Sequence, residues 1–201
     1  RVEIGGRPEP EGVNLVWSGG DNRQMRQFVA KLIQRLNRLV RQMEVWACIL
    51  IGGRSSRMGK PKHLIRENNG ITWLERTVDV LHPLVDGMVV SGAGLLPESL
   101  PSLTRLPDVP GVAGPLTGIL AASRWQPMAT WLLVACDMPH ISAEAVQWLL
   151  SGRKSGCWGR VPRLADKDHC EPLFAWYDLR AAQLFENQLH HGNLRIGKAA
   201  S

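Results

Sequence analysis

Apolar side chains recur along this chain in two rhythms, and the rhythms divide it into elements. Met25, Phe28, Val29, Leu32, Ile33, Leu36, Leu39, Val40 and Met43 are spaced by threes and fours, which is one face of a helix. Asp21 stands where a helix cap would, and Arg23, Arg26, Lys31, Arg35, Arg38 and Arg41 occupy the other face. Val45 to Ile49 then runs apolar without a period, as a buried strand does. Asn68-Asn69-Gly70 is a turn signal, and Thr72 with Glu75 three residues on forms a capping box that opens a helix through Leu81. Met88 to Ser91 reads as a second strand ending in Gly92-Ala93-Gly94, and a helix follows from about Leu116 to Arg124. Thr130 to Cys136 is continuously apolar, the mark of a central parallel strand covered on both faces. Ser142 opens a helix through Leu150, residues 152–168 read as a loop with a short strand, Glu171 to Tyr177 as a strand, and Asp178 to His190 as a helix. The alternation predicts an α/β fold with a mostly parallel, doubly wound sheet. No repeat and no low-complexity segment interrupts it.

Composition narrows the class. The 201 residues suit one domain, here 45–201, with an N-terminal extension over 1–44, and a hydrophobic fraction of 44% supports a real core. Residues 1–20 are rich in Gly, Pro and Glu and read as mobile or as a remnant of another domain; the sequence begins with Arg1 rather than Met. No apolar run is long enough to cross a bilayer and no signal peptide is visible. The four cysteines, Cys48, Cys136, Cys157 and Cys170, form no C-x-x-C pair. Cys48 and Cys136 lie in strand-like runs, so reduced core thiols in a cytoplasmic protein are expected, ahead of a metal site built from Cys157, His169 and Cys170. The net charge of +6 suits an anionic ligand. The basic helix is expected to pack its apolar face on the domain or a neighbouring chain; docking to an acidic protein, a membrane surface or nucleic acid are its alternatives. No aromatic-interleaved RNA motif appears, so nucleic acid is not the expected partner.

The chemistry concentrates in Leu50-Ile51-Gly52-Gly53-Arg54-Ser55-Ser56-Arg57-Met58-Gly59-Lys60-Pro61-Lys62, a glycine-rich turn and basic loop that follow the first strand. Successive free N–H groups in such a turn make a concave site for anions, and its four cations suit a polyphosphate. It is neither a Walker A loop nor a G-x-G-x-x-G turn. Further on, Asp137 closes the most apolar strand, where a carboxylate is a natural hard ligand for magnesium; its plainer role would be to cap the next helix, a role better suited to Ser142. Ligands of open α/β sheets bind at the carboxyl ends of strands, so one crevice could collect these groups.

Leu50, Gly52, Gly53, Ser55, Arg57, Met58, Gly59 and Lys62 match every fixed position of L-x-G-G-x-S-x-R-M-G-x-x-K, and the chain resembles the MobA-type molybdenum cofactor guanylyltransferases from Val45 onward. The resemblance implies a Rossmann-like three-layer fold and transfer of GMP from GTP to molybdopterin, with or without molybdenum, releasing pyrophosphate. It implies that Leu50, Ile51, Gly52 and Gly53 line the nucleotide, that Lys62 contacts its phosphates with Arg57 adding charge, and that Asp137, in Cys136-Asp137-Met138-Pro139, holds Mg2+ and the nucleotide. Gly114-Pro115-Leu116-Thr117-Gly118-Ile119 is similar to the guanine-side block, and Asp108 matches an Asp used at the nucleotide. Ser91 stands where members often carry an Asn that contacts the nucleotide, and its hydroxyl can still donate and accept a hydrogen bond there with a shorter reach; the family's later N-x-x-x-P-E segment has no counterpart before Ser201, which implies a shortened pterin side. The implied partners are GTP, molybdopterin, and proteins of molybdenum cofactor synthesis or molybdoenzymes, with the chain a monomer or weak oligomer. The alternatives are a cytidylyl- or other nucleotidyltransferase of the same fold, or a non-catalytic nucleotide-binding module docked to a partner.

Overall fold

The structure is a computed structural model that describes residues 19–51, 61–163, 170–194 and 196. The chain divides into two units, residues 1–42 with 154–156, and residues 43–153 with 157–201.

In the first unit, α1 spans Asn22–Gln42. Asp21 caps it as expected: its Oδ1 accepts the Gln24 N–H at 2.9 Å. Six of the apolar side chains that define its face, Met25, Val29, Leu32, Ile33, Leu36 and Leu39, are exposed.

The second unit holds six strands, β1 (Val45–Leu50), β2 (Gly87–Ser91), β3 (Thr104–Leu106), β4 (Thr130–Ala135), β5 (Gly159–Arg160) and β6 (Phe174–Tyr177), and four helices, α2 (Trp73–Leu81), α3 (Leu116–Trp125), α4 (Ala143–Ser151) and α5 (Ala181–His190). They form one sheet in the order β3-β2-β1-β4-β6-β5. β1 pairs in parallel with both β2 and β4, and β2 with β3, while β6 runs antiparallel to β4 and β5. Successive side chains of a strand point to opposite faces, so each strand feeds two cores. Val45, Ala47 and Ile49 of β1 join Leu74, Val78 and Leu81 of α2 and Val146 and Leu149 of α4 on one face. Cys48 and Val89 join Leu116, Ile119 and Leu120 of α3 and Phe185 of α5 on the other. The result is the expected three-layer, mostly parallel sheet. β4 is buried at all six positions, which is why it carries no period in the sequence.

Three elements differ from the sequence reading, one of them α5, which starts at Ala181 rather than Asp178. β3 is a three-residue strand that no pattern marks. β6 starts at Phe174 rather than Glu171, because residues 171–173 form a turn in which the Phe174 N–H bonds to the Glu171 carbonyl and the Glu171 carboxylate accepts the Leu173 N–H. Pro172 has no N–H to give a ladder.

Candidate active site at the carboxyl edge of the sheet

The parallel register levels four strand ends: Leu50 lies opposite both Ser91 and Ala135, and Ser91 opposite Leu106. The chain leaves all four strands along one edge. It departs β1 toward β2 on one side and reaches β4 on the other, so the direction of winding switches between β1 and β4. A crevice opens at such a point in doubly wound sheets.

The loops after those two strands meet there. Lys62 begins a 3-10 turn over Lys62–Leu64, and Asp137 follows β4. The Lys62 ammonium donates to Asp137 Oδ2 at 2.7 Å, with the two side chains 42% and 41% exposed. That hydrogen bond, helped by the charge of the carboxylate, raises the Lys62 pKa above its ordinary value. The pair joins residues 75 apart in sequence and leaves both groups open to solvent.

The Lys62 turn and the segment after Asp137 are braced by His63, Arg105 and Arg76, which the sequence reading did not single out. His63 is 1% exposed and its Nε2 bonds to the Leu95 carbonyl at 2.9 Å, which fastens the Lys62 turn to the loop after β2. Arg105 on β3 braces that same loop, donating to the Gly92 carbonyl at 2.7 Å and the Gly94 carbonyl at 2.8 Å. Gly92 is obligatory: its φ is +120°, and a Cβ there would fall 1.6 Å from the Ile51 carbonyl oxygen. On the Asp137 side, Arg76 of α2 donates to the Ile141 carbonyl at 3.2 Å. Ser142 caps α4 by accepting the Ala145 N–H, so capping does not account for Asp137. Pro139 and His140, just past Asp137, line an open hollow of about 520 Å³ with Asn68, Asn69, Trp73 and Arg76. A buried polar clasp has a faint sequence signal at best: His63 is simply the residue after the signature lysine.

The Gly114–Ile119 block forms the entry to α3. Gly114 takes φ +77°, and no side chain caps the helix after Pro115. Leu116 is wholly buried, while Gly114 and Pro115 ahead of it are exposed. Thr117 Oγ1 accepts the Val109 N–H at 2.6 Å and pins the loop that carries the exposed Asp108. Gly118 lets α3 close on the strand ends, since a Cβ would lie 2.2 Å from Leu50 Cδ2 and 3.2 Å from Ser91 Oγ. Ser91 is accordingly 2% exposed and its hydroxyl has no hydrogen-bond partner among the described residues, while Ile51 is also buried. The Ile51 N–H bonds to the Ser91 carbonyl at 2.8 Å, so these two residues stitch the strand ends together and present little surface to a ligand. Gly52, Gly53 and Arg57 lie outside the described residues, as does His169 of the weighed Cys157–His169–Cys170 site.

Comparison with known proteins decides the family. The model of the MobA-like NTP transferase domain matches residues 47–199. The chain belongs to this family. A relative named "Probable molybdenum cofactor guanylyltransferase", from Pelotomaculum thermopropionicum, is 34% identical over 77% of this chain and 73% of its own. The molybdenum cofactor guanylyltransferase of Rhizobium meliloti is 35% identical over 76% of this chain and 72% of its own. Among solved structures, molybdopterin-guanine dinucleotide biosynthesis protein A from Archaeoglobus fulgidus superposes with a TM-score of 0.62 at 25% identity, covering 77% of this chain and 78% of that one. As a member of the MobA-like family, the chain is a nucleotidyltransferase. Its signature loop, the Lys62–Asp137 pair and the α3 entry all lie within the matched residues.

Proposed function

We propose that this chain transfers GMP from GTP to the terminal phosphate of molybdopterin, giving the guanine dinucleotide form of the cofactor and pyrophosphate. The observation that carries the proposal is the solvent-open Lys62–Asp137 pair at the winding switch, in a family whose named relatives are guanylyltransferases.

An oxygen of the acceptor phosphate attacks the α-phosphorus of GTP. The new P–O bond forms as the bond to the β-phosphate breaks, and pyrophosphate leaves with the electron pair. No protein nucleophile is required, so the chain's work is alignment and charge. Lys62, already fully protonated, places one positive charge in the crevice, and a triphosphate brought there competes with Asp137 for it. Arg57 adds a second cation by its place in the signature. The exposed backbone at Gly114-Pro115 reads the guanine edge, while Leu116 behind it is committed to the core.

Asp137 fits magnesium. Its carboxylate is hard, exposed and sited beside a phosphate-binding cation, and magnesium is commonly held by one or two carboxylates plus substrate phosphates and water. No three His, Cys, Asp or Glu side chains converge among the described residues, and a metal shared with substrate requires no such cluster. When bound, the ion supplies positive charge against the phosphoryl oxygens. We place the reaction in the cytoplasm.

Titration of GTP and CTP with and without Mg2+, into the protein and into Asp137→Ala, tests the assignment. GTP should bind at least about tenfold more tightly than CTP, a preference worth about 1.4 kcal/mol. Mg2+ should strengthen GTP binding only when Asp137 is present. Equal affinities would overturn the guanine reading, and a magnesium effect that survives Asp137→Ala would overturn the metal site.

A further inference from the structure

We propose that α1 is an interfacial helix that docks, lying flat, on an anionic phospholipid surface. Met25, Val29, Leu32, Ile33, Leu36 and Leu39 are all exposed, and at 3.6 residues per turn they fall within an arc of about 120°. At 1.5 Å per residue the stripe runs along a helix about 31 Å long. Over its 21 residues α1 carries Arg23, Arg26, Lys31, Arg35, Arg38 and Arg41 and no Asp or Glu. A strongly basic polar face opposite an apolar stripe is the pattern of helices that lie in the membrane interface. α1 is far too polar to span, and no described helix is long and apolar enough to cross a membrane.

The distribution of charge selects the occupant. A protein groove grips one side of a helix and leaves the far side in water, where acids and bases ordinarily mix. Here the far side is as free of acids as the flanks. A planar anionic surface acts on the whole helix, because the helix is about 10–12 Å across and the screening length is about 8–10 Å. Arg26 borders the stripe, where a long side chain can keep its charge at the headgroups while its stem lies along apolar surface. Five of the six cations are Arg, whose planar fork suits phosphodiesters. Nucleic acid would satisfy the charges and leave the apolar stripe in water, and a second copy of α1 would oppose cation to cation. The helix also lies outside residues 47–199, so the transferase fold makes no demand on its composition.

Flotation of the full chain with vesicles of phosphatidylcholine, alone or mixed equally with phosphatidylglycerol, tests this. The chain should float with the mixed vesicles in about 0.1 M salt, but not with phosphatidylcholine alone and not in about 1 M salt. Each cation near such a surface changes the partition coefficient about fivefold, so Arg26→Gln with Lys31→Gln and Arg38→Gln should weaken it roughly hundredfold. Leu32→Ser with Leu36→Ser keeps every charge and should still weaken it at least about tenfold. Both variants should retain the wild-type melting transition, which separates lost docking from lost folding. Failure of the wild-type chain to float with mixed vesicles at low salt overturns the proposal. So does flotation indifferent to the leucine pair, which would mean charge attraction alone. Tight binding to an acidic amphipathic peptide without flotation would assign the face to a protein groove instead.

Discussion

Replacing Lys62 by Ala separates a catalytic charge from a structural one. The Lys62–Asp137 bond is short, 2.7 Å, yet both side chains are about two-fifths exposed, 42% and 41%. An ion pair so wetted contributes only about 0.2–1 kcal/mol to stability, because water and salt screen it and two long side chains must be ordered. For a unit of this size that is at most a few degrees of melting temperature. A preorganised donor aimed at a phosphoryl transition state is worth about 2.7–4 kcal/mol, or about 10²–10³ in turnover. Lys62→Ala should therefore lower kcat at least about hundredfold while costing under about 1 kcal/mol in urea unfolding. Lys62→Arg should recover part of the rate, since it keeps the charge and alters the geometry. The assay is steady-state pyrophosphate release beside denaturant melts of the same preparations. A loss of turnover of tenfold or less would show the pair to be a surface ion pair with no part in the reaction, and the argument from the winding switch would fail.

Three other outcomes follow from the same geometry. Hydrogen bonds from the Ser99 hydroxyl, the Thr72 hydroxyl and the Thr72 N–H hold the Glu75 carboxyl down at about 2, so its contribution is present above its ordinary 4.5 and is lost as pH falls from there toward 2; Glu75→Gln should flatten that limb of the acid-unfolding curve and cost about 1 kcal/mol at neutral pH. Gly92→Ala should cost about 3 kcal/mol or more in urea midpoint analysis, since positive φ and a 1.6 Å approach to the Ile51 carbonyl coincide, whereas Gly111→Ala, with φ +76° and open space, should cost about 1 kcal/mol. In the native protein a thiol reagent should label the exposed Cys170 quickly and spare Cys48, whose burial pushes its thiol up to about 12.

The legible parts of the fold were those where one residue pattern has one physical cause. Val45–Leu50 and Thr130–Ala135 are buried on both faces, so they appear as unbroken apolar runs. The Thr72–Glu75 capping box appears in the structure with both of its bonds. What stayed hidden depends on distant partners. β3 is a strand because β2 lends it a ladder, and three residues cannot announce that. β6 runs antiparallel to both β4 and β5, a direction that its own four residues do not encode. At the site, Lys62 and Asp137 were each readable from motif and strand end, but their bond across 75 residues was not. Ser91 had the chemistry of a ligand contact and the structure buries it beneath Gly118, because α3 closes on that strand end. His63 and Arg105 were missed for a related reason: a side chain that braces a loop is defined by the carbonyls it reaches.

Pyrophosphate release in the presence of Mg2+ and molybdopterin, with GTP, CTP and ATP in parallel, tests the central claim most directly. The account predicts release with GTP, little with the other two, and loss of release in Asp137→Ala. Release with CTP in preference to GTP would contradict the donor assigned to the α3 entry, and GTP binding without any release would contradict catalysis at the Lys62–Asp137 crevice.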